Sequence, residues 1–510
     1  MIYVAALILR ATTETNADVG DRFNDGVRIT ANQLRAKVIG EGGNLGLTQH
    51  ARIEYSLNGG RCNTDAIDNA GGVNCSDHEV NIKILLGAVL ADGDMTEKQR
   101  NALLQSMTDD VAERVLQENY WQTHAISFME QDAPRLLDEH WQFIQAQQAA
   151  GKLDPALECL PNKADVERRK AAGRGLTRPE LSVILGYARM EVYEALLESD
   201  VPEDPFLSRE LIRYFPRELR QRYRDKMLTH RLRREIIATF VSNRLCNRLG
   251  ATFVFRISRE LNVDVADVAR AYIAAWEVFS LREIWSAIAE LDNQVASRIQ
   301  LQAIQQITHL IFRSTGWLLR HRARPLDIEA TMREFTPCSE TLLGNLDSMF
   351  TQAQAQRLHD RQTPYLETAM GPELIQRIAL LEPLYTVFDI HSVADESGID
   401  TLTAGRIYFG LEAHLHLNAL SDRITQINVK DRWAERARAA LVEDLDGLHR
   451  SLTRDAATHA DADGAIEAWL QTHQQPIQRY QTLVAEIETG EDMDLARAAV
   501  VLRELRRLAA

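Results

Sequence analysis

Cysteine is scarce and poorly spaced for any shared task. The chain has five in 510 residues, at Cys62, Cys75, Cys159, Cys246 and Cys338, and no Cys-x-x-Cys. That argues against a disulfide scaffold and a zinc knuckle and fits a reducing, cytoplasmic setting. Long apolar runs are missing as well. Nothing approaches the ~20 residues that span a bilayer, so no membrane partner is expected. The opening run Met1 to Arg10 has the length of a signal-peptide core but no basic start and no cleavage site, and it reads as a buried strand. Positive charge is in deficit: 58 Lys and Arg face 73 Asp and Glu, a net charge of −15. A general nucleic-acid binder needs the opposite balance, so no nucleic-acid partner is expected. The chain contains no P-loop, no Gly-x-Ser-x-Gly and no His-Glu-x-x-His. Its closely spaced histidines, His414 and His416, would point to different sides of a helix, so no metal centre is expected.

What is present is a soluble globular composition, 45% hydrophobic and 26% charged. A chain this long should form two to four domains. Residues 1–78 are dense in glycine and in Asn/Asp/Gly turns. Val38-Ile39 and Ala66-Ile67 read as strand ends, with a short helix from Arg52 to Leu57 between them, a βαβ unit. Beyond Asp77 the pattern is helical. Thr96 to Gln99 and Thr177 to Glu180 are capping boxes that start helices. Residues 151–176 read as a linker and 198–205 as a break. Long amphipathic helices are expected over 209–248, 265–322 and 339–382, with a last group over 401–510. The 209–248 stretch is strongly basic, and its Tyr214, Phe215, Tyr223 and Phe240 fall at core spacing. That favours a face paired with acidic residues over a nucleic-acid surface.

Two glycine clusters follow the predicted strands. The first is Gly40-Glu41-Gly42-Gly43-Asn44-Leu45-Gly46. The second is Asn69-Ala70-Gly71-Gly72-Val73-Asn74-Cys75-Ser76. The first starts like a phosphate loop, but the third glycine of Gly-x-Gly-x-x-Gly falls on Leu45. Glycines let a backbone approach a flat ring, and asparagine amides both donate to and accept from a carboxamide. The same residues also suit tight turns, with Asn and Gly chosen for left-handed backbone. His78, on the following helix, reads as a structural partner rather than an acid or base, and Cys75 as a small inert side chain.

The segments GEGGNLG and NAGGVNCSDHE resemble paired motifs of glutamate dehydrogenases. Lys37 to Leu86 is similar, nearly residue for residue, to the large bacterial NAD-specific glutamate dehydrogenase family. NADVGDRFND at 16–25, GDMTEKQRNALL at 93–104 and RREIIATFVSNRLCNRLGATFVFR at 233–256 extend the likeness. The first ten residues depart from it, Gly43 stands for the wider group's alanine, and the Pro-Thr-Thr after Gly46 is lost.

The resemblance implies oxidative deamination of L-glutamate to 2-oxoglutarate and ammonium with NAD. It implies cofactor contacts from Gly42, Gly43, Asn44, Asn69, Gly71 and Gly72, with Asn69 on the nicotinamide carboxamide and Asn44 beside its ribose. It also implies a contact of Ser76 with the substrate carboxylate. The family's phosphate loop and proton-transfer residues lie upstream of these motifs. The chain is therefore expected to be a C-terminal part, inactive alone, of an enzyme that works as a homo-oligomer. The fold expected is an α/β remnant of a Rossmann-like dinucleotide-binding domain (1–90), then a large, mostly α-helical region (91–335 and 336–510). The rival reading is a non-catalytic helical assembly module with vestigial nucleotide loops.

Overall fold

The computed structural model describes residues 7–429, 432–459, 464–489 and 493–508. It separates into two compact units, Met1–Tyr272 with Leu318–Leu326, and Ile273–Trp317 with Asp327–Ala510.

The first unit begins with a very small parallel sheet. Strand Leu9–Arg10 pairs with Ile29–Thr30 in the register Leu9 to Ile29. Single parallel bridges join Leu9 to Leu47 and Val38 to Arg61. Leu9, Ala31, Leu47, Ala51, Tyr55 and Cys62 close a local core beneath it. The anticipated helix at Arg52–Leu57 forms as Gln49–Leu57, where the Thr48 side chain accepts from the Ala51 amide and caps the first turn.

The second anticipated strand does not form. Ala66-Ile67 lies in the one-turn helix Asp65–Asp68, which leads directly into the helix Ala70–Ala91. Two apolar residues between acidic ones bury a single side chain, Ile67, and a helical turn achieves that without ladder partners. The second glycine cluster is accordingly the N-cap and first two turns of a 22-residue helix rather than a loop. Its buried side chains His78, Asn81, Ile82, Leu85, Leu86 and Val89 recur at three- and four-residue steps. They face the helix Thr108–Asp132, which also packs on Arg178–Leu197 and Arg233–Leu249.

Both predicted capping boxes are present, at Thr96 with Gln99 and at Thr177 with Glu180. The 151–176 segment is not a plain linker, because Asn162 caps a helix over Lys163–Ala171. The 209–248 stretch is broken into Ser208–Tyr214, Arg217–Arg222, Arg224–Leu228 and Arg233–Leu249. Pro216 forces Phe215 into extended backbone and ends the first of these. Three of its basic side chains pair with acids: Arg213 with Glu210, Lys226 with Asp92, Arg234 with Glu203. Among the described residues, no helix is long and apolar enough to cross a membrane.

The second unit is entirely helical among its described residues. Trp317, Phe335 and Phe388 form an aromatic nest, with Trp317 stacked on Phe388 at 4.9 Å. Beside it, buried Asp389 accepts from Trp317 Nε1 at 2.9 Å and from Arg450 at 2.8 Å. Burial pushes its carboxyl up to about 6, against the pull of Arg450. A carboxyl raised in the folded state holds its proton there longer than in the unfolded chain, so its contribution to stability grows as pH falls through 6. Relative to Asp389→Asn, the native chain should gain about 1 kcal/mol between pH 7.5 and 5, measured by chemical denaturation. An unchanged difference across that range would remove the buried-carboxyl account.

Candidate functional site

The two glycine clusters meet. Asn69 Nδ2 donates to Asn44 Oδ1 at 2.8 Å. Asn69 sits at the N-cap of the Ala70–Ala91 helix, yet its side chain does not cap that helix. It reaches across to the first turn instead. Each amide thereby spends one group on the other, leaving an Asn69 oxygen to accept and an Asn44 nitrogen to donate.

Asn44 is presented by a turn held from below. Glu41 is 5% exposed. Its carboxylate accepts from the Gly46 and Leu47 amides at 3.0 and 3.1 Å, and from Arg52 Nε and Nη2 at 2.6 and 2.9 Å. Arg52 Nη2 also pairs with Asp65 at 3.2 Å. Burial works against the Arg52 charge, but the hydrogen bonds and charge of Glu41, with Asp65, outweigh it and hold the guanidinium above its usual range. Asp65 in turn accepts from the Leu45 amide at 3.0 Å. Asp68 accepts from the Glu41 amide at 2.9 Å and from Asn63 at 2.8 Å, and Arg178 donates to Asn63 at 3.0 Å. The one-turn helix that replaced a predicted strand thus supplies both carboxylates that tie the clusters together.

The backbone decides between two roles for the glycines. None of Gly40, Gly42, Gly43, Gly46, Gly71 or Gly72 has a positive φ; within the first cluster Leu45 takes it instead, at 62°. Left-handed turn geometry is therefore not why those glycines are there. Nor does packing require Gly42, where an added Cβ would meet open space, or Gly71, where it would meet only Val115 at 3.6 Å. At Gly72 the added atom would lie 3.4 Å from the Asn69 side-chain oxygen, crowding that acceptor. Leu45 costs on the order of 1–2 kcal/mol in a left-handed conformation, and the flanking bonds to Glu41 and Asp65 keep it there.

Gly42, Asn44, Leu45, Gly72, Val73, Cys75 and Ser76 are all exposed, so the meeting place of the turns is an open surface. Ser76 lies two helical turns beyond Asn69 on the same face, and its hydroxyl donates to the Gly72 carbonyl at 3.2 Å. His78 points the other way. It is buried, 3.1 Å from Glu118, and stacked at 4.7 Å on Tyr214, whose hydroxyl donates to Asp77. That is the structural role expected of it. Glu41, Asp65 and Asp68 are likewise committed to Arg52, to backbone amides or to Asn63, so these three acids, among the described residues, shape a surface that can orient a ligand rather than move a proton.

Sequence reasoning named the amides and glycines and missed the frame of Arg52, Asp65, Asp68, Asn63 and Arg178. The available signal was Arg52 itself, which shares the buried stripe of Ala51 and Tyr55 on its helix. Removing one partner of a buried pair costs roughly 3–5 kcal/mol, because the other charge is left unpaired. Arg52→Met should lower stability by about that amount, and Arg52→Met with Glu41→Gln by less, in urea titrations. Equal losses in both would mean that the pair is not the frame of the turn.

The model of the glutamate dehydrogenase C-terminal family matches residues 173–507, and that of the bacterial NAD-glutamate dehydrogenase catalytic domain matches residues 4–129. The NAD-specific glutamate dehydrogenase of Pseudomonas aeruginosa is 41% identical over 506 residues. Those of Halomonas elongata and Mycobacterium tuberculosis are 38% and 35% identical over 505 and 506 residues. Each alignment takes in 98% of this chain, and the chain spans about 31% of the length of each relative.

Proposed function

The chain belongs to the glutamate dehydrogenase family whose C-terminal model it matches over residues 173–507, and from that premise we propose that its first 90 residues form the nicotinamide side of an NAD-dependent glutamate dehydrogenase site. The observation that carries the reading is the Asn69–Asn44 amide pair, 2.8 Å apart on an open surface. Its remaining acceptor and donor match a carboxamide, which offers one donor group and one acceptor. The open space at Gly42 leaves room for a ring to lie close to backbone. On this reading the small parallel sheet is the closing part of a dinucleotide-binding domain, and segments 91–335 and 336–510 are its helical extensions. A cytoplasmic homo-oligomer is the setting that goes with it.

Bound NAD would supply the hydride acceptor for L-glutamate, which leaves as 2-oxoglutarate and ammonium after hydrolysis. The residues of this chain do something more limited. Asn69 fixes the carboxamide and so selects the ring face turned to substrate. Asn44, locked by the Glu41 frame, holds the ribose side. Ser76 turns its hydroxyl from Gly72 to the substrate carboxylate. The contribution is positioning, which can supply several kcal/mol of a barrier without proton transfer.

Saturation-transfer NMR with NADH tests this on the chain itself. Nicotinamide protons should receive magnetisation from the protein, Asn69→Ala should lower the effect severalfold, and Ser76→Ala should leave it intact. Absence of any NADH signal, or a signal indifferent to Asn69→Ala, would favour the assembly-module reading. Glutamate-dependent NADH formation by this chain alone should be undetectable, because Glu41, Asp65 and Asp68 are already committed.

A further inference from the structure

The all-helical second unit contains a cluster that has no part in the site above. Asp455 lies in the last turn of the Arg432–Ala456 helix, His459 just past its end, and His473 at the C-cap of Ala465–Thr472. A carboxylate oxygen and one ring nitrogen from each histidine lie within 4.8 Å of one another.

Their protonation pattern is set from behind. His459 Nδ1 is 2.9 Å from the Asp455 carbonyl oxygen and 3.3 Å from Thr458 Oγ1. His473 Nδ1 is 2.9 Å from the Trp469 carbonyl oxygen. A carbonyl oxygen only accepts, so both Nδ1 atoms carry the hydrogen, and each neutral ring keeps its lone pair on Nε2. Asp455 Oδ2 accepts from Trp469 Nε1 at 2.6 Å, and the same indole stacks on His473 at 4.5 Å. Trp469, Ala456 and Ala465 are fully buried, so the backing is rigid. Ligating histidines whose other nitrogen is tied to a carbonyl, with the carboxylate itself hydrogen-bonded, is the usual support around a bound metal.

The separations fit as well. His473 Nε2 is 3.8 Å from Asp455 Oδ2, too long for a hydrogen bond. Two ligands at about 2.0–2.2 Å from a tetrahedral zinc are roughly 3.3–3.6 Å apart, so this pair closes by a few tenths of an ångström, and no pair in the cluster, all within 4.8 Å, needs more than roughly 1.5 Å. We propose that Asp455, His459 and His473 bind a divalent transition-metal ion, zinc by the softness and number of the donors, with a fourth position left to water. The ion ties the end of the Arg432–Ala456 helix to the C-terminal end of Ala465–Thr472 and stabilises that corner. This revises the expectation from sequence of no metal centre. The pair that spacing singled out, His414 and His416, lies elsewhere: His414 ends one helix and His416 takes left-handed backbone before the next.

The test uses the full chain stripped with a chelator and titrated with zinc alone, then with cobalt(II). About one equivalent should bind, the cobalt form should show visible bands of imidazole ligation, and zinc should raise the thermal midpoint. His459→Ala and His473→Ala should each weaken zinc binding by about tenfold or more, whereas His414→Ala should not. Asp455→Asn keeps an oxygen for the Trp469 indole and serves where a histidine variant fails to fold. Failure to bind zinc at micromolar concentration, or binding unchanged in these variants, overturns the proposal.

Discussion

The buried pair of Glu41 and Arg52 is the constraint on which the front of this protein rests. One carboxylate takes four hydrogen bonds, two from a guanidinium and two from the backbone at Gly46 and Leu47. A buried charge is tolerated only when paired and fully bonded, and here the same bonds that satisfy it also shape a turn. Because Gly46 and Leu47 are fixed, Leu45 is held in a conformation it would not otherwise keep. Because Leu45 is held, Asn44 stands where Asn69 can reach it. The Asp65 and Asp68 carboxylates close the frame from the other side and join it to Arg178 through Asn63. The amide pair is thus the outer end of a polar network that is anchored in the helical core.

Much of this was legible in the sequence, and the illegible parts have physical reasons. Capping boxes at Thr96 and Thr177 form because their chemistry is local, complete within four residues. The short helix anticipated at Arg52–Leu57 forms, extended to Gln49–Leu57. Both clusters were expected to contribute to one cofactor site from two strand ends; their amides do meet, but a one-turn helix running into a long one brings Asn69 to Asn44. Short apolar pairs such as Ala66-Ile67 carry too little pattern to separate strand from helix. The glycines were legible as special positions, but only φ values show that Leu45, and not a glycine, takes the left-handed turn.

Long-range polar pairing was the part that sequence could not supply. Arg52 and Glu41 are eleven residues apart, and nothing in their spacing announces a buried pair. The same holds for Asp455, His459 and His473, which converge from the end of one helix and the C-cap of the next. No motif links them, because their geometry comes from the packing of Trp469 rather than from a fixed register. The two clusters share a logic. In each, backbone groups fix polar side chains, amides of the turn on Glu41 in one and helix carbonyls on the histidines in the other.

The most direct measurement is the side-chain amide NOE between Asn44 and Asn69 in protein carrying labelled asparagine. The account predicts a cross-peak in the native chain and its loss in a folded Arg52→Met variant. A cross-peak that survives in that variant, or is missing from the native chain, would contradict the claim that the Glu41–Arg52 pair holds the two turns together.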